Sequence, residues 1–120
     1  MPSFTVVRVV AGDDGQSRFE DAAPPLDEVR PGLGVGGVEA AAGVGFRRFA
    51  PGFASDFHPT ALRELAVVLS GSAEYEVASG ERRTLHPGDA IRLEDTHGVG
   101  HRSRNRGEGE RVMLVVALPG

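Results

Sequence analysis

The spacing of apolar and polar residues predicts a protein made of β-strands. Apolar runs of about four to eight residues alternate with glycine- and proline-containing breaks, which is typical of short strands packed as a sandwich or barrel. The alternation is clearest at residues 73–77. There Ala73, Tyr75 and Val77 are predicted to face inward, and Glu74 and Glu76 to face water.

The same pattern predicts further strands, whereas no segment has the periodicity of an amphipathic helix. Strands are expected at residues 4–10, 35–42, 45–50, 65–69, 73–77, 82–85, 90–93, 101–105 and 111–118. Residues 20–34 contain Pro24, Pro25 and Pro31 and are predicted to be irregular. We find no internal repeat and no linker, so residues 1–120 are predicted to form one domain.

Composition narrows the chemistry that the chain can perform. With 40% hydrophobic and 25% charged residues, the chain has the composition of a globular protein without a membrane span. The absence of a signal-peptide pattern and of cysteine predicts a cytoplasmic location. Thiolate chemistry is excluded by the lack of cysteine, and Schiff-base chemistry by the lack of lysine. The net charge of −4 argues against nucleic acid as a partner.

Two of the four histidines belong to a spaced pattern that suggests a metal site. Five residues separate Gly52 from His58, three separate Thr60 from Glu64, and six separate Glu64 from Gly71. Farther along, His101 is followed after three residues by Asn105. Because imidazole and carboxylate groups are common ligands of divalent ions, His58, Glu64 and His101 are candidate ligands of one metal.

These two segments resemble the motifs of the cupin superfamily, and the run Glu-Asp-Thr-x-Gly-x-Gly-His resembles small bacterial single-domain cupins. The first cupin motif is matched at Gly52, His58, Glu64 and Gly71, except that Thr60 stands where a second histidine is usual. The second motif is matched at Gly88, His101 and Asn105. Within it, Glu94 replaces a proline, and residues 96–100 make the connection two residues longer than usual. The resemblance covers residues 52–105 and implies an all-β, cupin-type jelly-roll barrel.

The resemblance also implies that His58, Glu64 and His101 converge in the barrel pocket. A set of two histidines and one carboxylate is a known facial site for Fe(II), and Mn, Ni or Zn would also suit these ligands. The leading hypothesis is therefore a metal-dependent enzyme of the dioxygenase, isomerase or cyclase type acting on a small molecule. His97 lies in the enlarged loop and is considered as a substitute ligand.

Two other functions remain open. In a metal-free cyclase or isomerase, His58 or His101 would transfer protons and Glu64 would orient them. In a non-catalytic module, the pocket would only bind a ligand. Besides these residues, the candidate pocket residues are Thr60, Tyr75, His97, Ser103 and Asn105.

The predicted partners are a small molecule and a second copy of the chain. The valine-rich segments 6–10 and 112–116 are expected to supply edge strands for a homodimer. The remaining histidine, His86, precedes a Pro-Gly-Asp turn and is assigned no role.

Overall fold

The computed structural model describes residues 4–120, which form eleven strands and no helix. The strands are β1 Val6–Ala11, β2 Ser17–Ala22, β3 Asp27–Arg30, β4 Leu33–Val35, β5 Gly43–Phe49, β6 Glu64–Ser70, β7 Ser72–Glu76, β8 Arg82–Leu85, β9 Ala90–Leu93, β10 Arg102–Arg106 and β11 Arg111–Ala117. No helix in this range is long and apolar enough to cross a bilayer. The predicted strands at 82–85 and 90–93 are confirmed to the residue.

Two sheets make up the body of the fold. The larger has six strands in the order β2-β1-β9-β6-β11-β5, and the smaller has three in the order β10-β7-β8. Isolated bridges from Ala54 to Arg104 and from His58 to His101 attach the segment after β5 beside β10. This two-sheet, mostly antiparallel arrangement is the jelly-roll fold that the sequence predicted.

The hydrophobic core is made of the inward-facing residues of both sheets. Alternation along β7 buries Ala73 and Tyr75, and Val77 follows them on the same side, as predicted. Opposite them, the larger sheet contributes buried residues from five of its strands, namely Val9, Phe19, Ala66, Val68, Ile91, Leu93, Met113 and Val115. The core and the cavity described below therefore share the space between the sheets.

The prediction that Glu74 and Glu76 are exposed to water is wrong. Both point away from the core, but only 10% and 14% of their side chains are exposed. Arginines of the neighbouring strands cover them: Arg104 Nε lies 2.8 Å from Glu74 Oε1, and Arg102 Nε lies 3.0 Å from Glu76 Oε1. The outer face of the smaller sheet is thus an ion-pair network.

Two predictions in the first third of the chain are also wrong. Residues 20–34 are not irregular, because they contain the end of β2, all of β3 and the start of β4. The prolines lie between these strands, and Pro31-Gly32 forms the turn from β3 to β4, with a φ of 82° at Gly32. Conversely, residues 36–42 form no strand, since their glycines have no side chain and their alanines only a methyl group to pack on a sheet.

The hairpin of β3 and β4, which we call the arm, forms a separate two-stranded sheet. All seven of its strand residues are exposed. The strands expected to supply dimer edges are interior ones: β1 lies between β2 and β9, and β11 lies between β6 and β5. Neither therefore has a free edge, and the edges of the larger sheet belong to β2 and β5.

Candidate functional site

A cavity of about 620 Å³ opens between the two sheets. Its walls come from β5, β6 and β11 on one side, from β7 and β10 on the other, and from residues 53–62 at the mouth. His58 and His101 both line this cavity, and so does Glu64. The structure therefore brings the three predicted residues to one cavity.

His101 is held in place by a buried carboxylate. Asp95 Oδ2 lies 2.7 Å from His101 Nδ1, and the exposed fractions of the two residues are 0% and 4%. Because a carboxylate can only accept, Nδ1 carries the proton and Nε2 is the ring nitrogen available to a molecule in the cavity. This arrangement suits a general base or a metal ligand.

His58 stands beside His101 at the mouth of the cavity. Their ring centroids are 5.0 Å apart, and the backbones of the two residues exchange hydrogen bonds of 3.0 and 3.1 Å. Gly100 permits this approach, because a Cβ there would overlap the carbonyl group of His58. Its φ of 77° is also one that glycine adopts readily. Gly100, the last residue of the enlarged connection, thus allows the backbones of His58 and His101 to pair.

Glu64 is already engaged by a cation. Arg47 Nη1 lies 3.0 Å from Glu64 Oε1 and Nη2 lies 3.2 Å from Oε2, which makes a bidentate ion pair. The Glu64 side chain is 10% exposed and that of Arg47 is 53% exposed, so the arginine covers the carboxylate from the cavity mouth. Both carboxylate oxygens are therefore occupied by guanidinium donors.

His58, Glu64 and His101 are not arranged as the predicted three-ligand metal site. In residues 4–120, no three histidine, cysteine, aspartate or glutamate side chains are grouped so as to hold a metal ion. A divalent ion at Glu64 would have to displace Arg47, whose positive charge repels it.

A sequence model of the Cupin domain family (Cupin_2) matches residues 45–117. The chain belongs to the cupin family. This confirms the resemblance drawn from the two motifs, and the all-β jelly roll agrees with it. The search of curated proteins gives no significant match.

Solved structures of other cupins are similar to this one. A Cupin 2 conserved barrel domain protein from Salinispora arenicola shares 27% identity over 64% of this chain and 62% of its own, with a TM-score of 0.52. The cupin thus spans less than two thirds of that relative's length. A cupin domain from Bordetella pertussis shares 23% identity over 64% of this chain and 80% of its own, with a TM-score of 0.50.

A third similar structure extends over nearly the whole chain. It is a sugar phosphate isomerase of the cupin superfamily from Silicibacter pomeroyi, with 22% identity, a TM-score of 0.53, and coverage of 98% of this chain and 72% of its own. At this identity the likeness concerns the fold. It includes the N-terminal strands that lie outside the family match at residues 45–117.

Three of the five additional pocket candidates line the cavity of this cupin, namely Thr60, Tyr75 and Ser103. His97 and Asn105 are not among the residues that line this cavity. His97 is exposed in its loop and is absent from the cavity wall. The amide nitrogen of Asn105 instead donates to backbone carbonyls, including that of Ala50 at 2.9 Å, so it fixes the chain after β5.

Thr60 lines the cavity but makes a local bond. Its hydroxyl donates to the carbonyl oxygen of Leu62 at 2.6 Å, and its backbone N–H donates to the carbonyl oxygen of Asp95 at 3.0 Å. The residue at the position of the missing histidine thus stabilises the turn before β6 and joins it to the loop that carries Asp95.

Three residues at or behind the cavity wall were not predicted from the sequence: Arg47, Asp95 and Arg111. Asp95 lies in the Glu-Asp-Thr run that carried the resemblance, so a role for it could have been inferred. Alternation also places Arg111 on the inward face with Met113, as the structure shows. Arginine is seldom fully buried, however, so the identity of this residue argues against an inward position.

Proposed function

We propose that this cupin is a metal-independent enzyme that isomerises or cyclises a small molecule, with His101 as its general acid and base. The observation that carries the proposal is the Asp95–His101 contact of 2.7 Å, buried on one side and open to the cavity on the other. Such a carboxylate-oriented imidazole is suited to move protons near neutral pH.

His101 and Asp95 together can move one proton from one atom of a substrate to another. Nε2 of neutral His101 accepts a proton from a carbon next to a substrate carbonyl, and Asp95 stabilises the imidazolium that results. The same proton then returns to another atom of the substrate, which completes an isomerisation. His58, with its ring centroid 5.0 Å from that of His101, is placed to act on a second position of the substrate.

A metal-dependent enzyme of the dioxygenase, isomerase or cyclase type is the second candidate. It is supported by the closeness of the His58 and His101 rings and by family membership. Fe, Mn, Ni or Zn would suit two imidazoles and a carboxylate. The bidentate pair of Glu64 with Arg47 disfavours this candidate, because it occupies the third donor.

The test is deuterium exchange from D₂O into a panel of 2-oxo and 3-oxo carboxylic acids, followed by NMR with excess chelator present. We expect exchange by the wild type, loss of exchange in His101→Ala, and retention in His86→Ala, whose histidine is exposed in a turn. Exchange that requires added Fe, Mn, Ni or Zn would favour the metal-dependent candidate. Binding without exchange would favour a non-catalytic ligand-binding module.

We further propose that the cupin acts as a homodimer in the cytoplasm. The arm is a two-stranded sheet, an element that is marginal unless it packs on something, and its Val29 is 60% exposed. The free edge strand β5 carries Val44 and Phe46, which are 72% and 73% exposed beside the cavity mouth. Packing the arm of one copy on β5 of the other would cover both surfaces.

A further inference from the structure

Arg111 is a buried cation without an anion. Its exposed fraction is 0%, and among residues 4–120 no carboxylate oxygen lies within 4.0 Å of its guanidinium. The Nε atom is also buried and has no hydrogen-bond partner in this range. Burial lowers the pKa of Arg111, because the charged form loses its hydration. A charge in this position usually has a counterion.

Aromatic rings compensate only part of that charge. The guanidinium carbon of Arg111 lies 3.8 Å from the ring centroid of Phe49, with Phe53 at 5.7 Å and Tyr75 at 5.9 Å. These are cation–π distances, and they favour the charged form of the arginine. The rings carry no net negative charge, so the electrostatic potential around Arg111 remains positive.

Two hydroxyl groups connect Arg111 to the cavity. Arg111 Nη1 donates to Tyr75 Oη at 3.4 Å, and Nη2 donates to Ser103 Oγ at 3.3 Å. Tyr75 and Ser103 both line the cavity, whereas Arg111 stands behind them. Because each oxygen accepts from the guanidinium, each O–H is directed elsewhere. Among residues 4–120, the sole acceptor of the Tyr75 hydroxyl is the weak acceptor Met113 Sδ at 3.5 Å.

We propose that this buried end of the cavity is a subsite for the carboxylate of a small organic monoanion. The hydroxyls of Tyr75 and Ser103 bind its oxygens, and Arg111 supplies the positive charge behind them. The acid in the cavity wall, Glu64, is neutralised by Arg47 and does not compete for this position. One cation and two donors suit a monoanion, since a phosphate dianion calls for more positive charge.

The subsite also gives an orientation for the substrate, an assignment that rests on the proposed function. The ring centroids of Tyr75 and His101 are 5.9 Å apart. A carboxylate held at Tyr75 therefore places the neighbouring carbons of the ligand near the imidazole. The aromatic rings of Phe49 and Phe53 line the same cavity and favour an apolar body on the ligand.

The test measures binding rather than turnover, with 3-phenylpropanoate and its uncharged amide as matched probes in NMR titrations. We expect the wild type to bind the carboxylate about tenfold or more tightly than the amide, as hydrogen bonds to a charged group allow. Arg111→Met should bring this ratio close to one. Arg83→Met removes an equal charge at a residue paired with Asp21 outside the cavity, and it should keep the ratio.

A second variant keeps the proposal testable if Arg111→Met does not fold. The double variant Tyr75→Phe/Ser103→Ala retains the buried cation and removes both donors, and it should also abolish the preference for the carboxylate. Equal binding of the two probes by the wild type, or a preference that survives in either variant, would overturn the proposal. Tighter binding of phenyl phosphate than of 3-phenylpropanoate would overturn the assignment to a carboxylate.

His101→Ala separates this inference from the proposed function. The substitution should abolish proton exchange while the preference for the carboxylate persists, because His101 is not one of the two donors. Carboxylate binding without any exchange in the wild type would refute the enzyme and leave the subsite standing. Exchange without a preference for the carboxylate would do the reverse.

Discussion

Arg47 and Glu64 face each other across the mouth of the cavity, with two N–O contacts of 3.0 and 3.2 Å. The carboxylate that the motif spacing assigns to a metal is thereby paired with an arginine that the motif does not contain. Arg47 reaches it from β5, because β5 and β6 both flank β11 in the larger sheet. The availability of Glu64 as a metal ligand therefore depends on this one ion pair.

The first prediction is that Arg47→Met creates metal affinity. Removal of the guanidinium takes a positive charge away from Glu64, which lines the same cavity as His58 and His101. We expect tighter binding of Co²⁺ than in the wild type, by about tenfold or more, because a unit charge about 4 Å away changes the binding free energy of a cation by about 1–4 kcal/mol. Titration with Co²⁺, followed by the visible absorption of the bound ion, measures the affinity. Arg47→Met/Glu64→Gln should lose the gain. Arg48→Met, which removes a neighbouring arginine paired with Glu110, should show none. Equal affinity in the wild type and Arg47→Met would contradict the role given to the pair.

Sequence patterns could predict the layers of this fold but not the partners of its charged groups. Period-two alternation follows from strand geometry, so the inward face of β7 was predictable at Tyr75. Arg47 and Glu64 lie in different strands, and the contact between them depends on strand order, which short-range patterns do not contain. The burial of Arg111 was unpredictable for another reason, since it goes against the usual preference of arginine for the surface.

A second prediction concerns the proton on His101. Replacement of Asp95 by Asn removes the carboxylate that holds the proton on Nδ1, so we expect a mixture of imidazole tautomers in ¹⁵N NMR spectra. Exchange activity should fall by about 100-fold or more, because a general-base histidine in the wrong tautomer loses most of the roughly 10²- to 10⁴-fold gain of acid–base catalysis. Asp89→Asn, which alters an exposed aspartate in a turn, should leave both unchanged. A retained Nδ1–H tautomer in Asp95→Asn would show that another group orients the ring.

A third prediction separates backbone conformation from close packing at glycine. Gly100 and Gly107 have the same φ of 77°, but only Gly100 has backbone atoms within 4 Å of the position of a Cβ. Gly100→Ala should therefore reduce the free energy of unfolding by about 1–3 kcal/mol more than Gly107→Ala. Chemical denaturation measures the difference. Equal losses would mean that the contact with His58 relaxes freely.

The fourth prediction is a pH dependence that arises from Glu74. A hydrogen bond from Arg104 lowers the pKa of this carboxyl below its ordinary 4.5, against desolvation, which raises it. Since the folded pKa is the lower one, the stabilisation is complete above about pH 4.5 and is lost as the pH falls through the folded pKa. Below about pH 4.5, the difference in unfolding free energy between the wild type and Glu74→Gln should shrink.

Denaturation series between neutral pH and pH 3 would measure this difference. Glu108→Gln serves as the control, because Glu108 forms no ion pair with any residue in the range 4–120. A gap between the wild type and Glu74→Gln that stays constant down to pH 3 would contradict the assignment.

The last prediction is that the arm and β5 join two copies of the chain. The arm carries two acidic residues, Asp27 and Glu28, against one arginine, Arg30. On β5, Arg47 and Arg48 each pair with a glutamate of their own chain but are still 53% and 62% exposed. We expect a native mass of twice 12.6 kDa, with an affinity between the two copies that falls as salt screens these charges.

Val29→Asp on the arm should give a monomer, since it would bury a charge in the interface. Leu69→Asp, at an apolar residue that is 48% exposed on β6, should leave the dimer intact. The dimer is expected because it covers two apolar surfaces that are exposed to water in a single copy. A wild type that is monomeric at micromolar concentration in low salt would refute this assembly.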